Sequence, residues 1–125
     1  MSAEALRTIP LFAHVDNHDL AQIAAYQGVI WLTGDQVTST LTQPDQDLLA
    51  DYMDGGGRLF LSGQNIAQDI SDSDFIQDYL HASFVAPDAG LTSLSGLGYL
   101  DPLTDIFIDG GFGAGNQTSP DVITP

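Results

Sequence analysis

The chain has 125 residues, 43% of them hydrophobic, and sets seventeen acidic residues against two arginines and no lysine, a formal charge of −15. So acidic a surface repels phosphate backbones and anionic headgroups, which argues against nucleic acid and membrane surfaces as partners. The absence of cysteine removes thiolate catalysis, cysteine-type zinc sites and disulfide bonds together.

The length suits one domain or a piece of one. All but one of the acids are Asp, a residue fitted to loops, helix starts and cation contacts more than to helix interiors. The N-terminus, MSAEALRTIPLFAHV, lacks the basic start and continuous apolar stretch of a signal peptide, and no apolar run in the sequence is long enough to cross a bilayer.

In chain order, IPLFAHV (Ile9 to Val15) has strand composition, and DNHDLAQIAAY supplies Asp and Asn caps before a short apolar-periodic helix. GVIWLT (Gly28 to Thr33) is a continuous β-rich apolar run, the pattern of a strand covered on both faces by helices. The next segment predicts a helix: Thr42 caps it, Pro44 suits its first turn, and Leu48, Leu49, Tyr52 and Met53 form its apolar stripe. Gly55 to Gly57 close it.

RLFLS follows as a second buried strand, and a helix is expected from Ser73 or Asp74 through DFIQDYLHA with Phe75, Ile76, Tyr79 and Leu80 turned inward. SFVA and DIFID read as further short strands. PDAGLTSLSGLGYLDP is too rich in glycine and serine to assign, and residues 110–125 are expected to be an irregular loop. Alternating buried strands and amphipathic helices predict a single α/β domain over 1–125, with a mostly parallel sheet flanked by helices in three layers.

The segment from Tyr26 to Val85, with IWLTGD followed by GGGRLFLSGQ as its most specific block, resembles the class I glutamine amidotransferase-like, flavodoxin-like domains of large secreted or cell-surface bacterial proteins. The later GAGNQTSPDVITP resembles that group's glycine-rich ending. The resemblance implies a flavodoxin-like sheet, an extracellular or cell-surface setting, and other domains of a parent protein as partners. Domains of that group begin with a further strand and helix, so this chain is expected to be a fragment lacking them. An unpaired apolar edge would then favour a homodimer by strand sharing.

Catalytic members of the superfamily carry a Gly-x-Cys-x-Gly elbow and a downstream His-x-Glu pair. If Gly63 matches the closing glycine of the elbow, Leu61 stands at the nucleophile position; a register slip of one puts Ser62 there. No His-x-Glu follows, and the only later histidine, His81, is expected on a helix. The elbow is therefore expected to be catalytically silent. A serine-dependent hydrolase at Ser62 would need an adjacent base; the bland role for Ser62 is a hydroxyl that satisfies the turn backbone.

Two loops are expected at the carboxyl ends of adjacent parallel strands, where open α/β sheets bind ligands: TGDQ (33–36) and SGQN (62–65). Asp35, Gln36, Ser62, Gln64 and Asn65 are the candidates there for holding a small polar molecule or carbohydrate, or for simply closing the turns. His14, Asp16 and His18 alternate in HVDNHD as a weak metal motif, beside the plainer possibility of a helix cap with both histidines at the surface. Asp69, Asp72, Asp74 and Asp78 lack the ordered spacing of a calcium loop and read as a solvated helix start. The triple glycine follows a helix and precedes no Lys-Ser/Thr, so it is no phosphate loop, and no cofactor is expected.

Overall fold

The computed structural model describes residues 20–91, 93–108 and 118–125. The strand expected over Ile9 to Val15, the candidates His14, Asp16 and His18, and the glycine-rich stretch 110–117 lie outside the described residues. In order come α1 (Leu20–Ile23), β1 (Gly28–Gly34), α2 (Gln43–Asp54), β2 (Arg58–Gly63), α3 (Ile66–Asp69), α4 (Asp74–Asp78) and β3 (Ser83–Ala86). They are followed by β4 (Ser93–Leu94), β5 (Ile106–Phe107) and β6 (Val122–Thr124).

The architecture is mixed α/β. Its strands pair by twos: β1 parallel to β2, β3 antiparallel to β6 and β4 antiparallel to β5. The mostly parallel sheet expected from the sequence is thus represented by one parallel pair, and no third strand joins that pair among the described residues. The tail also differs from expectation, because Val122, Ile123 and Thr124, inside the stretch expected to be irregular, pair with β3. A run of three β-branched residues is favourable in a strand, and here it finds a partner edge.

The sequence explains α2 in detail. The Asp45 carboxylate accepts from the Thr42 backbone N–H at 2.8 Å and from the Thr42 hydroxyl, satisfying a donor at the helix start. Leu49 and Tyr52 are buried, and the Tyr52 hydroxyl donates to the Tyr26 carbonyl at 3.0 Å. Past the helix, Gly56 takes φ +89, and a Cβ at Gly57 would come within 2.3 Å of the Tyr52 ring. Glycine there permits both the left-handed turn and the close approach of chain to ring.

The short helix α4 is held by a side-chain cap. Ser73 accepts from the Phe75 N–H at 3.1 Å, and its hydroxyl donates to the side-chain oxygen of buried Gln46, whose Nε2 in turn donates to the Leu41 carbonyl at 2.9 Å. α4 is shorter than expected. Tyr79 caps it, and His81 adopts φ +50, which breaks the helical path and places the imidazole beyond the helix.

The core gathers Leu41, Leu49, Ile66, Ala67, Ile70, Phe75 and Ile76, with Val29, Trp31, Leu59 and Leu61 packed onto it from one face of the β1–β2 pair. The other face is open. Ile30, Leu32 and Phe60 are 60%, 59% and 61% exposed, contrary to the two-sided burial expected of these strands. The physical reason is side-chain alternation: α2, α3 and α4 cover the Val29/Trp31 side, and among the described residues nothing covers the other.

Candidate functional site

The two candidate loops do meet at the carboxyl ends of β1 and β2. The pairing runs from Gly28 beside Arg58 to Gly34 beside Gly63, with an irregularity between Leu32 and Gly34. Gly34 turns the chain at φ +62, and its carbonyl accepts from the Gln64 N–H at 3.2 Å, so the two loops are joined through backbone.

Gln64 is the hub of this end of the molecule. It is 3% exposed. Its Nε2 donates to the Asp35 carbonyl at 3.1 Å, and its Oε1 accepts from the N–H groups of Thr118 at 2.7 Å and Ser119 at 3.2 Å. Its own carbonyl accepts from the Asp121 N–H at 2.9 Å. A side chain proposed to face a ligand is thus committed to two other segments of its own chain.

The remaining candidates are dispersed. Asn65 is buried, precedes α3 and donates from Nδ2 to Gln68 Oε1 at 3.1 Å. Gln36 folds over its own loop, donating to the carbonyls of Thr38 at 2.8 Å and Ser39 at 2.9 Å, where Ser39 has φ +53. Asp35 is exposed, tied in through its carbonyl. Ser62 lies inside β2 rather than at the tip of the turn; it is exposed with the parity of Arg58 and Phe60, beside Leu32. Among the described residues, no imidazole and no turn backbone group hydrogen-bonds to its hydroxyl.

Two residues outside the candidate set organise the site. Asp121 accepts from the Gln68 N–H at 2.9 Å, anchoring the tail just before β6. Burial raises its carboxyl above the ordinary carboxylate value, opposed by the N–H groups of Gln68 and Ala67. Asp69 corrects the reading of its neighbourhood as a merely solvated helix start: its Oδ2 accepts both the backbone N–H and the hydroxyl of buried Thr40, at 2.7 and 2.8 Å. It pins the start of the segment leading into α2. In the sequence these acids are indistinguishable from fourteen other aspartates; the only local hint is that Asp121 directly precedes a β-branched run.

Three oxygens at this end have no hydrogen-bond partner: Thr33 Oγ1, Asn65 Oδ1 and Asp121 Oδ1. Gly63 lets the strands close here, since a Cβ on it would fall 1.8 Å from Thr33 Oγ1. Among the described residues no group of three or more His, Asp or Glu side chains is placed to hold a metal. At the opposite, amino end of the pair, a groove of about 470 Å³ is bordered by Leu20, Tyr26, Asp51, Tyr52, Gly57 and Arg58. Arg58 is the one Lys or Arg side chain among the described residues.

No family model, no curated protein and no solved structure matches the chain.

Proposed function

We propose that the chain is a non-catalytic, amidotransferase-like structural or interaction module of a larger exported bacterial protein, with a flavodoxin-like domain as its architectural parent and the other domains of that protein as its partners. The observation that carries this reading is Gln64. Behind a turn where an amidotransferase would receive substrate, its amide is paired with Asp35, Thr118 and Ser119 of its own chain. If Gly63 closes the elbow, Leu61 takes the nucleophile position, and it is packed against the core with no reactive atom. Ser62 stands on the open sheet face with no base hydrogen-bonded to it among the described residues, and a hydroxyl so placed is a poor nucleophile near neutral pH. Glutaminase and ester-hydrolysis assays of the purified chain should both be blank; turnover that disappears in Ser62→Ala would sink the proposal.

A second reading, a module that binds a small polar molecule or carbohydrate at the 33–36 and 62–65 loops, is favoured by the unpartnered buried oxygens of Thr33 and Asn65. Such groups are costly unless water or a ligand meets them. A ligand of that kind binds the native state and raises the melting temperature in a thermal-shift screen; no shift across monosaccharides and amino acids removes it.

A further inference from the structure

We propose that the groove at the amino end of the β1–β2 pair binds a free α-amino acid with an aromatic side chain, its carboxylate on Arg58, its ammonium on Asp51 and its ring against Tyr26. The site lies at the opposite end of the pair from the 33–36 and 62–65 loops, and goes beyond the reading of the chain as a structural or interaction module.

At about 470 Å³ the groove has the size of a small-molecule site. Two opposite charges border it without meeting, since neither Arg58 nor Asp51 makes an ion pair among the described residues. Between them runs Gly55–Gly57, bare backbone, with the Gly55 N–H on the Asp51 carbonyl at 3.1 Å and the Gly57 N–H on the Tyr52 carbonyl at 3.0 Å. The Arg58 N–H donates to the Gln27 carbonyl at 3.2 Å, and the Tyr52 hydroxyl to the Tyr26 carbonyl at 3.0 Å. The backbone that carries Tyr26, Asp51 and Arg58 is therefore fixed in advance of any ligand, which lowers the ordering cost of binding.

Asp51 is a charge that the fold itself does not use. It stands in the last turn of α2, where the helix dipole is negative and an acid is unfavourable, and that turn contains no basic residue. Asp54 in the same turn accepts from the Tyr79 hydroxyl at 3.0 Å, whereas no hydrogen bond reaches the Asp51 carboxylate among the described residues. A ligand cation at Asp51 offsets both the carboxylate and the helix end.

Charge selects a zwitterion. A chain of −15 repels an anion, and a simple cation would meet Arg58, the one Lys or Arg side chain among the described residues. An α-amino acid avoids both penalties. Its carboxylate suits the guanidinium fork, which can donate two parallel hydrogen bonds, and its ammonium suits Asp51. The side chain is chosen by the apolar border of the groove, where Tyr26 is 41% exposed and Leu20 38% exposed. An aromatic ring packs on tyrosine in offset or edge-to-face geometry.

The test titrates the isotope-labelled full chain with L-phenylalanine and follows its amide signals by NMR. Those of Gly55, Gly56, Gly57 and Arg58 should move and saturate, while those of Gly34 and Gly63 stay in place. Phenylalaninamide lacks the carboxylate, N-acetylphenylalanine the ammonium and glycine the ring, and each should bind the parent chain at least about tenfold more weakly. Arg58→Gln and Asp51→Asn should each weaken phenylalanine binding by about tenfold or more. Both side chains are exposed, and the analogue series on the parent chain stands whether or not the variants fold. Equal binding of phenylalanine and either singly charged analogue overturns the proposal, as does the absence of saturable movement at about 10 mM phenylalanine. Movement at Gly34 and Gly63 instead assigns the binding to the loops at the carboxyl end and likewise overturns it. None of these outcomes touches the non-catalytic reading, which falls only to Ser62-dependent turnover.

Discussion

The Oε1 oxygen of Gln64 lies 2.7 Å from the amide nitrogen of Thr118, across 54 positions of sequence, and the opposite end of the same side chain holds the Asp35 carbonyl. One buried amide therefore joins the end of β1, the end of β2 and the tail that leads into β6. Gln64→Ala leaves the Asp35 carbonyl and the Thr118 and Ser119 N–H groups without that partner. It should cost about 1–3 kcal/mol in urea unfolding, the penalty for stranded buried polar groups. Amide exchange should accelerate at Thr118, Ser119 and Asp121 more than at Leu49. Unchanged exchange in the tail would mean that the β3–β6 pairing alone holds it.

Asp69 and Thr40 form a second tether, 29 positions apart, in which one carboxylate oxygen receives two donors from a residue that is 4% exposed. Asp69→Ala strands both and should destabilise the chain by about 1–3 kcal/mol, whereas Asp69→Asn keeps an acceptor oxygen and should lose less. Denaturant midpoints for the two variants check the order. Equal losses would show that the charge of Asp69 matters more than its hydrogen-bonding oxygen.

Much of the local structure was legible because it rests on short-range chemistry. Thr42, Pro44 and the glycines after Asp54 bound α2 as their residue types dictate, and Ser73 caps α4. The continuous apolar runs GVIWLT and RLFLS located both strands, and the loops after them do meet at one end of the parallel pair. What the sequence concealed depends on distant partners. The strand at Val122–Thr124 exists because β3 offers an edge, and His81 leaves the helical path at φ +50 although its neighbours carry a helical pattern. The roles of Gln64, Asp69 and Asp121 are set by residues 29 to 55 positions away, and no local motif distinguishes a tethering Asp from a solvated one. Two-sided apolarity likewise reports what a strand is fitted to contact, and leaves open which chain provides the cover.

Gly63 and Thr33 make a third testable contact. A methyl group on Gly63 would meet the Thr33 hydroxyl at 1.8 Å, closer than any real contact permits, so Gly63→Ala should cost about 1–3 kcal/mol through overpacking. The Thr33 hydroxyl has no hydrogen-bond partner, so its removal in Thr33→Ala gives up no bond and opens the space that the added methyl requires. The double variant should then be more stable than the sum of the two single losses predicts. A double-mutant cycle that closes with no coupling would place the cost of Gly63→Ala in the backbone instead.

Asp121 gives the pH dependence a definite sign. Burial raises its carboxyl above the ordinary carboxylate value, while the N–H groups of Gln68 and Ala67 pull it back without cancelling the rise. Between the unfolded and the folded value the native state therefore holds more proton than the unfolded chain, and the contribution of this group to stability falls as pH rises through that window. Above the folded value the ionised carboxylate is a constant cost. Asp121→Asn keeps an oxygen acceptor for Gln68 and does not titrate, so its stability relative to the parent should be lowest at about pH 3, climb through the window and level off toward about pH 7. The other carboxylates titrate in both proteins and largely cancel in the difference. Paired urea titrations across that range measure it, and a difference that stays flat or declines with rising pH would show that the two N–H donors outweigh the burial of Asp121.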